Sequence, residues 1–215
     1  MKKEARVDNV EKYITKLKPI ISKTRFSQLT IDEISKHMDI SKATLYKYFS
    51  SRDEIIQVAV EHTINYLNEA DSSIQDESIS YVERFQKIYE QSVKCVIYIS
   101  DVFLYDLKES YPDLYDNLSV ARQKRYKNLQ TFFDSGMDMG IFNRVNTALF
   151  MVQDDAVLRS IMKQSFCIQF DLTLKQALID FYQLKKLQLF KPEFIDTVDD
   201  SVIEKQIVQI IQTIS

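Results

Sequence analysis

The sequence predicts an all-α protein with a small N-terminal three-helix domain followed by a larger helical domain. Only 2 Gly and 3 Pro occur among the 215 residues. Folds with many tight turns need more of both residue types, so this scarcity favours long helices with short connections. Apolar residues recur at helical spacing along most of the chain, and no segment shows the strict alternation of a half-buried strand.

Charge also divides the chain. Residues 1–50 carry 11 basic and six acidic residues, a net charge of +5, whereas residues 51–215 carry 17 basic and 25 acidic residues, a net charge of −8. A basic N-terminal segment before an acidic body suggests that this segment meets a polyanion. Solvated surface lysines are the ordinary alternative, and charge alone leaves it open.

The first helix is predicted to open at Asp8, which forms a capping pair with Glu11, and to run to about Lys23. Pro19 falls inside this segment, so we expect it to kink the helix or to lie on its outer face. The basic side chains before the helix are expected to be a disordered, solvated start or an arm that adds nonspecific charge contacts: Lys2, Lys3 and Arg6.

Two short helices are predicted next. Thr30 and Glu33 form a capping box for the first of them, and Ser41 caps the second. Asp39 lies between them, where a glycine would turn the chain most easily, and aspartate tolerates left-handed backbone better than most residues. Residues 30–49 are therefore predicted to form a helix-turn-helix, a motif whose second helix enters the DNA major groove.

The second helix of this pair separates apolar from polar side chains. Leu45 and Phe49 are predicted to point into the small core, with Ile40 at the turn. The other face carries lysines for phosphate or guanine, Thr and Ala for base edges or the thymine methyl, and a tyrosine hydroxyl for phosphate. A solvated polar face on an ordinary packing helix is the alternative that this pattern leaves open. The outward residues are Lys42, Ala43, Thr44, Tyr46 and Lys47.

The run LTIDEISKHMDISKATLYKYFSSRDEII, residues 29–56, resembles the DNA-binding segment of the tetracycline-repressor (TetR) family of bacterial transcription regulators. Arg25 and Asp39 depart from the resemblance, because the family usually has glycine at both positions. The resemblance implies that Lys42, Ala43 and Thr44 approach bases and that other positions hold phosphates. The DNA-binding residues it implies are Thr30, Ser41, Lys42, Ala43, Thr44, Tyr46, Lys47 and Arg52.

The remaining chain is predicted to form a bridging helix and a helical body. Ser51 and Glu54 open the bridging helix, which should run to about Asn68. A helix should follow Ser78, another should begin at Pro112, and Gly136 and Gly140 can close it and turn the chain. Further helices are expected over 147–168 and 173–189 and after Ser201. The predicted domains are residues 1–50, 51–77 and 78–215.

The resembled family works as dimers, usually through its two late helices. The resemblance therefore implies a homodimer, and the intrachain core is the alternative location for each apolar side chain of these helices. The candidate interface residues are Leu149, Val152, Ala156, Leu174, Ala177, Leu178, Phe181 and Leu184.

Aromatic side chains are abundant in the body. They are expected either to line a pocket for an apolar or aromatic effector or simply to fill a helical core. The weak candidates for a ligand site are Phe85, Tyr89, Phe103 and Phe132.

Other classes of site find no support in the sequence. With only two glycines, Gly136 and Gly140, the sequence contains neither a P-loop nor a dinucleotide fingerprint, and no nucleophile motif occurs. Two cysteines, Cys95 and Cys167, and two histidines lack metal-ligand spacing, so no cofactor, metal or catalytic residue is predicted. The paired acids Asp154-Asp155 and Asp199-Asp200 are expected to be surface or capping residues. No apolar run is long enough to cross a membrane, and no signal peptide is present, so a cytoplasmic protein is expected.

These observations predict a ligand-responsive, dimeric DNA-binding transcription regulator, a repressor that binds a palindromic operator and is released by a small, largely apolar effector. One alternative is a helix-turn-helix protein without such a ligand, which responds to a protein partner or acts constitutively. The other is an enzyme with a helical body, for which the sequence offers no catalytic group.

Overall fold

The computed structural model describes residues 2–195 and 199–214, with side chains from residue 8 onward. It is 81% helical, and the described residues form no strand, so the all-α prediction is confirmed. The elements are α1 Lys2–Ile21, a 3-10 turn η1 Phe26–Gln28, α2 Ile31–Met38, α3 Lys42–Tyr48, α4 Arg52–Ile74, α5 Tyr81–Tyr98, α6 Asp101–Ser110, α7 Pro112–Asp138, α8 Thr147–Ile161, α9 Gln164–Gln169, α10 Leu174–Leu189, α11 Pro192–Ile195 and α12 Ser201–Ile214.

Three helix boundaries differ from the prediction. Helix α1 begins at Lys2 rather than Asp8, because the preceding Lys, Glu, Ala and Arg residues favour helix and continue it toward the N-terminus. The basic side chains of Lys2, Lys3 and Arg6 lie outside the described residues. Helix α4 extends beyond Asn68 to Ile74. The single helix expected over 147–168 is two helices, since the backbone turns extended at Lys163, where neither Gly nor Pro marks a break.

Helix α6 was missed by the sequence analysis. Ser100 caps it by accepting a hydrogen bond from the backbone N–H of Phe103 at 3.1 Å. A serine before an apolar-periodic segment is an ordinary N-cap signal, so this helix was detectable.

The helices group into two compact units. One comprises Met1–Asn68 with Tyr98–Gln123, and the other comprises Glu69–Ile97 with Lys124–Ser215. The division into residues 1–50, 51–77 and 78–215 assumed consecutive segments and remains a prediction. The observed grouping differs from it chiefly because α6 packs with the N-terminal helices.

The first unit has its own apolar core. Fully buried residues come from α1, η1, α2, α3, α4 and α6, so the helix-turn-helix is held by helices on several sides. The central members are Ile14, Leu17, Phe26, Ile34, Met38, Leu45, Phe49, Ile55, Val60, Phe103 and Leu107.

The second unit is built around aromatic rings. Phe142 meets the rings of Tyr81, Phe132 and Phe190 at centroid distances of 5.5, 5.5 and 5.0 Å. A Cβ atom on Gly136 would lie 2.1 Å from the Phe142 ring, so only glycine fits there. Gly140 has φ +74° and turns the chain after α7, as predicted from the GMDMG segment.

Candidate DNA-binding site

The helix-turn-helix is formed by α2, the turn at Asp39 and α3. Thr30 caps α2: its hydroxyl accepts from the N–H of Glu33 at 3.3 Å, and the Glu33 carboxylate accepts from the N–H of Thr30 at 2.8 Å. The Thr30 hydroxyl also donates to the Glu33 carboxylate at 2.8 Å, and the hydrogen bonds that this carboxylate accepts from the backbone and hydroxyl of Thr30 lower the pKa of Glu33. The predicted capping box is therefore confirmed.

The turn is made without glycine. Asp39 adopts φ 58° and ψ 47°, which is left-handed backbone. Its N–H donates to the carbonyl of Lys36 at 3.1 Å, and the N–H of Ile40 donates to the carbonyl of Ser35 at 3.0 Å. Because aspartate accommodates this conformation, the departure from glycine leaves the motif intact.

Helix α3 presents the predicted polar face. Ser41 caps it, accepting from the N–H of Thr44 at 3.1 Å. Leu45 and Phe49 are buried, as expected, and anchor the helix to the core. On the opposite side the Tyr46 ring is 55% exposed. Ser41, Lys42, Ala43 and Lys47 are also exposed, and Thr44 is half-buried.

The residues implied to hold phosphates lie at helix starts around this face. Thr30 is exposed at the start of α2, where unpaired backbone N–H groups attract anions. Arg52 begins α4 and is half-exposed, with Nη1 donating to the carbonyl of Ser27 at 2.9 Å. The structure thus brings all eight predicted residues to α2, α3 and the start of α4, and their contacts with DNA remain predictions.

Two acidic residues near this face were not foreseen as part of the site. The Lys42 ammonium lies 2.6 Å from the Asp32 carboxylate, and both side chains are largely exposed. Asp106 on α6 accepts hydrogen bonds from the backbone and hydroxyl of Ser27, the residue whose carbonyl holds Arg52. The first pair joins successive helices, but the second joins residues 79 positions apart, for which a single sequence carries no signal.

The predicted interface residues separate into exposed and buried sets. Leu149 and Val152 on α8 are 68% and 57% exposed, and Ala156 is exposed one turn later. Leu184 and Leu187 on α10 are 64% and 56% exposed, although Leu187 was not predicted. We call this set, Leu149, Val152, Ala156, Leu184 and Leu187, the apolar face.

The other interface candidates lie inside the chain. Leu178 and Phe181 are 0% and 5% exposed and pack in the core of the second unit, as does Ala177, because the opposite side of α10 faces that core. Leu174 is half-buried against the same core. For these four residues the intrachain core, the alternative reading of their spacing, is what the burial supports.

A charged pair lies beneath the exposed leucines. Lys185 on α10 is fully buried, 2.9 Å from the Asp154 carboxylate, and donates to the carbonyl of Phe150 at 2.9 Å. Burial raises the pKa of Asp154 to about 6 despite this lysine, and burial lowers the pKa of Lys185. The expectation that Asp154 is a surface residue is therefore wrong, because α8 turns its carboxylate toward α10.

The other acidic pair behaves as expected in part. Asp199 accepts from the N–H of Ser201 and caps α12, so its predicted capping role is confirmed. Asp200 instead binds Lys186 and accepts from the Tyr182 hydroxyl at 3.0 Å and the Gln183 amide at 2.7 Å. Its acceptance of these bonds outweighs burial, and the pKa of Asp200 is lowered.

The four ligand candidates are core residues. Phe85, Tyr89, Phe103 and Phe132 are each at most 4% exposed. Phe103 belongs to the first unit and the other three to the second, so they do not form one site. The Tyr89 hydroxyl donates to the carbonyl of Leu178 at 2.5 Å, which occupies its polar group. The core-filling reading of these rings is the one that their burial supports.

Comparison with known proteins begins with the N-terminal segment. Residues 21–59 match the family model of bacterial regulatory proteins, tetR family, and this range contains the whole helix-turn-helix. This segment of the chain is thus similar to the TetR family. The TetR resemblance carried by residues 29–56 is thereby confirmed.

Two curated relatives are HTH-type negative transcriptional regulators by name. The negative transcriptional regulators IcaR of the biofilm operon icaADBC from Staphylococcus epidermidis and Staphylococcus aureus are 28% and 27% identical. The matches cover 52% and 55% of this chain and 54% and 58% of those proteins. The chain thus spans about half the length of the curated relatives it matches. These relatives are transcriptional regulators and not enzymes.

Solved structures of transcriptional regulators share the fold over most of the chain. One match is a transcriptional regulator from Saccharomonospora viridis, solved in complex with choline. The alignment covers 88% of this chain and 99% of that protein's chain, with a TM-score of 0.64 and 14% identity. The ketosteroid transcriptional regulator KstR2 of Mycobacterium tuberculosis covers 87% and 95%, with a TM-score of 0.55 and 15% identity. At these identities the likeness establishes the fold alone.

Neither a metal-binding cluster nor a membrane-spanning helix occurs among the described residues. No group of three or more His, Cys, Asp or Glu side chains within them could hold a metal ion. None of their helices is both long and apolar enough to cross a bilayer.

Proposed function

We propose that this chain is a TetR-family transcriptional repressor that binds a palindromic DNA operator as a homodimer. The observation that carries the proposal is the outward face of α3, where exposed lysines and a 55% exposed tyrosine stand on a helix anchored by buried Leu45 and Phe49. The curated relatives, which are negative regulators, support repression rather than activation.

DNA binding is tested with purified protein and duplex DNA from around its own gene, titrated against salt and random-sequence competitor. Saturable binding that survives competitor, with two protomers per site, is the expected result. Replacing Lys47 with Ala should reduce the slope of log affinity against log salt by about 0.9, the value for one phosphate contact. Lys175→Ala, an exposed lysine on α10, is the matched control. Absence of salt-sensitive binding would refute the proposed function.

The homodimer is supported by the apolar face on α8 and α10. Five apolar residues are exposed together on α8 and α10. A cluster of this kind is typical of an interaction surface, and its burial in an assembly is favourable. One helix-turn-helix contacts too few base pairs for useful specificity, so two-fold pairing also follows from the DNA-binding role.

We further propose that a small, largely apolar effector releases the DNA. The support is the fold shared with a regulator solved in complex with choline and with one named as a ketosteroid regulator. The four rings first considered for its site are core residues, so the effector site is not assigned to them. Release of pre-bound operator by a compound, together with a raised Tm of the free protein, would be the expected signature.

A second candidate is a TetR-family regulator without a small-molecule ligand, controlled by a protein partner or constitutive. The close ring-to-ring packing around Phe85, Tyr89 and Phe132 favours it, because an effector would have to displace well-packed side chains. Effector-independent operator binding across a broad panel of apolar compounds would support this candidate.

A further inference from the structure

Asp106 is a buried carboxylate whose hydrogen bonds go to Ser27 rather than to the recognition helix α3. It lies on α6, is 3% exposed and belongs to the same compact unit as the helix-turn-helix. One carboxylate oxygen accepts from the backbone N–H of Ser27 at 2.8 Å, and the other accepts from the Ser27 hydroxyl at 2.6 Å. Charge-assisted hydrogen bonds of this length are stronger than neutral ones.

Ser27 connects Asp106 to Arg52, which lies at the predicted DNA-binding face. It occupies the 3-10 turn η1 between α1 and α2, and its carbonyl accepts from Nη1 of Arg52 at 2.9 Å. All three polar groups of Ser27 therefore have partners: the N–H and hydroxyl bind Asp106, and the carbonyl binds Arg52. The three residues form a continuous hydrogen-bonded chain from α6 to the start of α4.

The surroundings keep η1 in place. The Phe26 ring, which is fully buried, packs against Phe103 at 5.4 Å and stacks on Tyr111 at 5.9 Å. The Tyr111 hydroxyl donates to the Asp53 carboxylate at 2.8 Å, beside Arg52 at the start of α4. Helix α6 and the residue that follows it thus contact both η1 and α4, with Asp106 as the charged member.

We propose that Asp106 is a positioning residue for Arg52: through Ser27 it holds one guanidinium nitrogen so that the rest of the fork is aimed at DNA phosphate. An unrestrained arginine side chain carries about 2 kcal/mol of rotamer entropy, part of which is lost on binding. Anchoring Nη1 in the free protein removes part of that cost in advance, and without the anchor we expect the guanidinium to leave the phosphate contact. The Arg52 side chain remains 40% exposed, and its Nε lies 3.9 Å from the Asp53 carboxylate. This inference rests on the proposed DNA-binding function.

The test measures the salt dependence of binding to a random-sequence duplex, for which no operator is needed. The variants are Asp106→Ala, Arg52→Gln and their combination. Asp101→Ala is the matched control, since it removes an exposed acid from the first turn of the same helix. Asp106→Asn is the conservative variant: its carboxamide can accept from the Ser27 N–H while donating to the Ser27 hydroxyl.

We expect Arg52→Gln and Asp106→Ala each to reduce the salt slope by about 0.9, the equivalent of one phosphate contact. The double variant should show the same reduction rather than about 1.8, because both changes remove the same contact. Asp106→Asn and Asp101→Ala should retain the wild-type slope. A smaller folded fraction would lower affinity equally at every salt concentration, so a purely structural role would leave the slope unchanged.

A variant that folds well is available if Asp106→Ala does not. Asp106→Leu combined with Ser27→Ala replaces both side chains by apolar groups, which tends to preserve stability, and leaves only the backbone N–H of residue 27 without its acceptor. It should still lower the salt slope by about 0.9, since η1 loses its charged anchor.

The outcomes distinguish failure of the proposed DNA-binding function from failure of the positioning role of Asp106. If wild-type protein shows no salt-sensitive DNA binding, the proposed function fails. If Arg52→Gln lowers the slope but Asp106→Ala and the apolar pair do not, the function stands and the positioning role is overturned. The positioning role is also overturned if Arg52→Gln has the wild-type slope, or if the Asp106 and Arg52 effects add.

Discussion

Helices α3 and α10 treat lysine and leucine in opposite ways. On α3, Leu45 is buried and Lys42 and Lys47 are exposed. On α10, Lys185 is 0% exposed, whereas Leu184 before it and Leu187 after it are 64% and 56% exposed.

The difference indicates what each surface meets. An exposed lysine without apolar neighbours costs little in water and can neutralise phosphate. Covering the exposed leucines would stabilise the protein by about 25 cal/mol for each Å² of apolar surface removed from water, so they favour contact with another protein surface. A lysine can be buried under such a surface only with partners, and Lys185 has Asp154 and the carbonyl of Phe150. Helix α3 thus resembles a polyanion-binding surface and α10 an interface between chains.

Lys185→Met is expected to have the largest effect. It leaves the Asp154 carboxylate buried without its cation, which should cost about 3–5 kcal/mol in the free energy of unfolding. Urea unfolding followed by circular dichroism measures it. Lys175→Met on the same helix removes an exposed lysine and should change stability by less than about 0.5 kcal/mol. Equal stability of the two variants would show that the buried pair contributes nothing specific.

Charge on the apolar face is expected to break the homodimer. Leu149→Arg with Leu184→Arg should weaken dimerisation by at least about 100-fold, or about 3 kcal/mol, because each change appears twice across a two-fold interface. Sedimentation equilibrium gives the association constant. Val120→Arg, at a valine that is 68% exposed in the other unit, is the control. A doubly substituted protein that still sediments as a dimer would place the interface elsewhere.

The raised pKa of Asp154 predicts a specific pH dependence of stability. Burial raises its pKa to about 6, and Asp155 adds to the shift while Lys185 opposes it. An unfolded-chain aspartate has a pKa of about 3.9, so between about pH 4 and 6 only the native state keeps this proton. The contribution of Asp154 should therefore fall by about 3 kcal/mol as pH rises through that window, and stay constant above it.

The comparison that isolates this effect is wild type against Asp154→Asn in urea unfolding at pH 4.5, 5.5, 6.5 and 7.5, values that run from inside the window of about pH 4 to 6 to above it. The difference isolates Asp154 from other carboxylates, such as Glu33, whose pKa is lowered and which stabilise in the opposite direction. The expected pattern is a wild-type advantage that declines with pH up to about 6. A constant difference across the series would contradict the pKa.

The smallest expected effect concerns the DNA-binding face itself. Asp32→Asn frees Lys42 from its 2.6 Å ion pair and should raise affinity for random duplex a few-fold, or by about 1 kcal/mol at low salt. Fluorescence anisotropy measures the affinity. Asp39→Asn is the control, because it removes the same charge from the Lys16 pair at 3.1 Å and asparagine also accepts left-handed backbone. An equal gain in both variants would mean that net charge alone is responsible.

The helix-turn-helix could be predicted because its signals are local. The Thr30–Glu33 box, the Ser41 cap, Asp39 in the turn and the inward Leu45 and Phe49 are each specified within four residues, and each appears in the structure. The break at Lys163 could not be predicted, since no breaking residue marks it. Burial of Asp154 could not be predicted either, because which side of α8 meets α10 depends on packing between helices.

The sequence by itself determined the all-α class, the caps and turn of the helix-turn-helix, and the chemistry of the side chains on α3. These follow from backbone propensity and helical periodicity, which act over a few residues. Only the tertiary structure decided that Leu178 and Phe181 are core while Leu149 and Leu184 are surface, and that Asp106 reaches Ser27 from 79 residues away. The physical reason is that burial and long-range hydrogen bonds depend on how helices pack, and helical periodicity leaves that choice open.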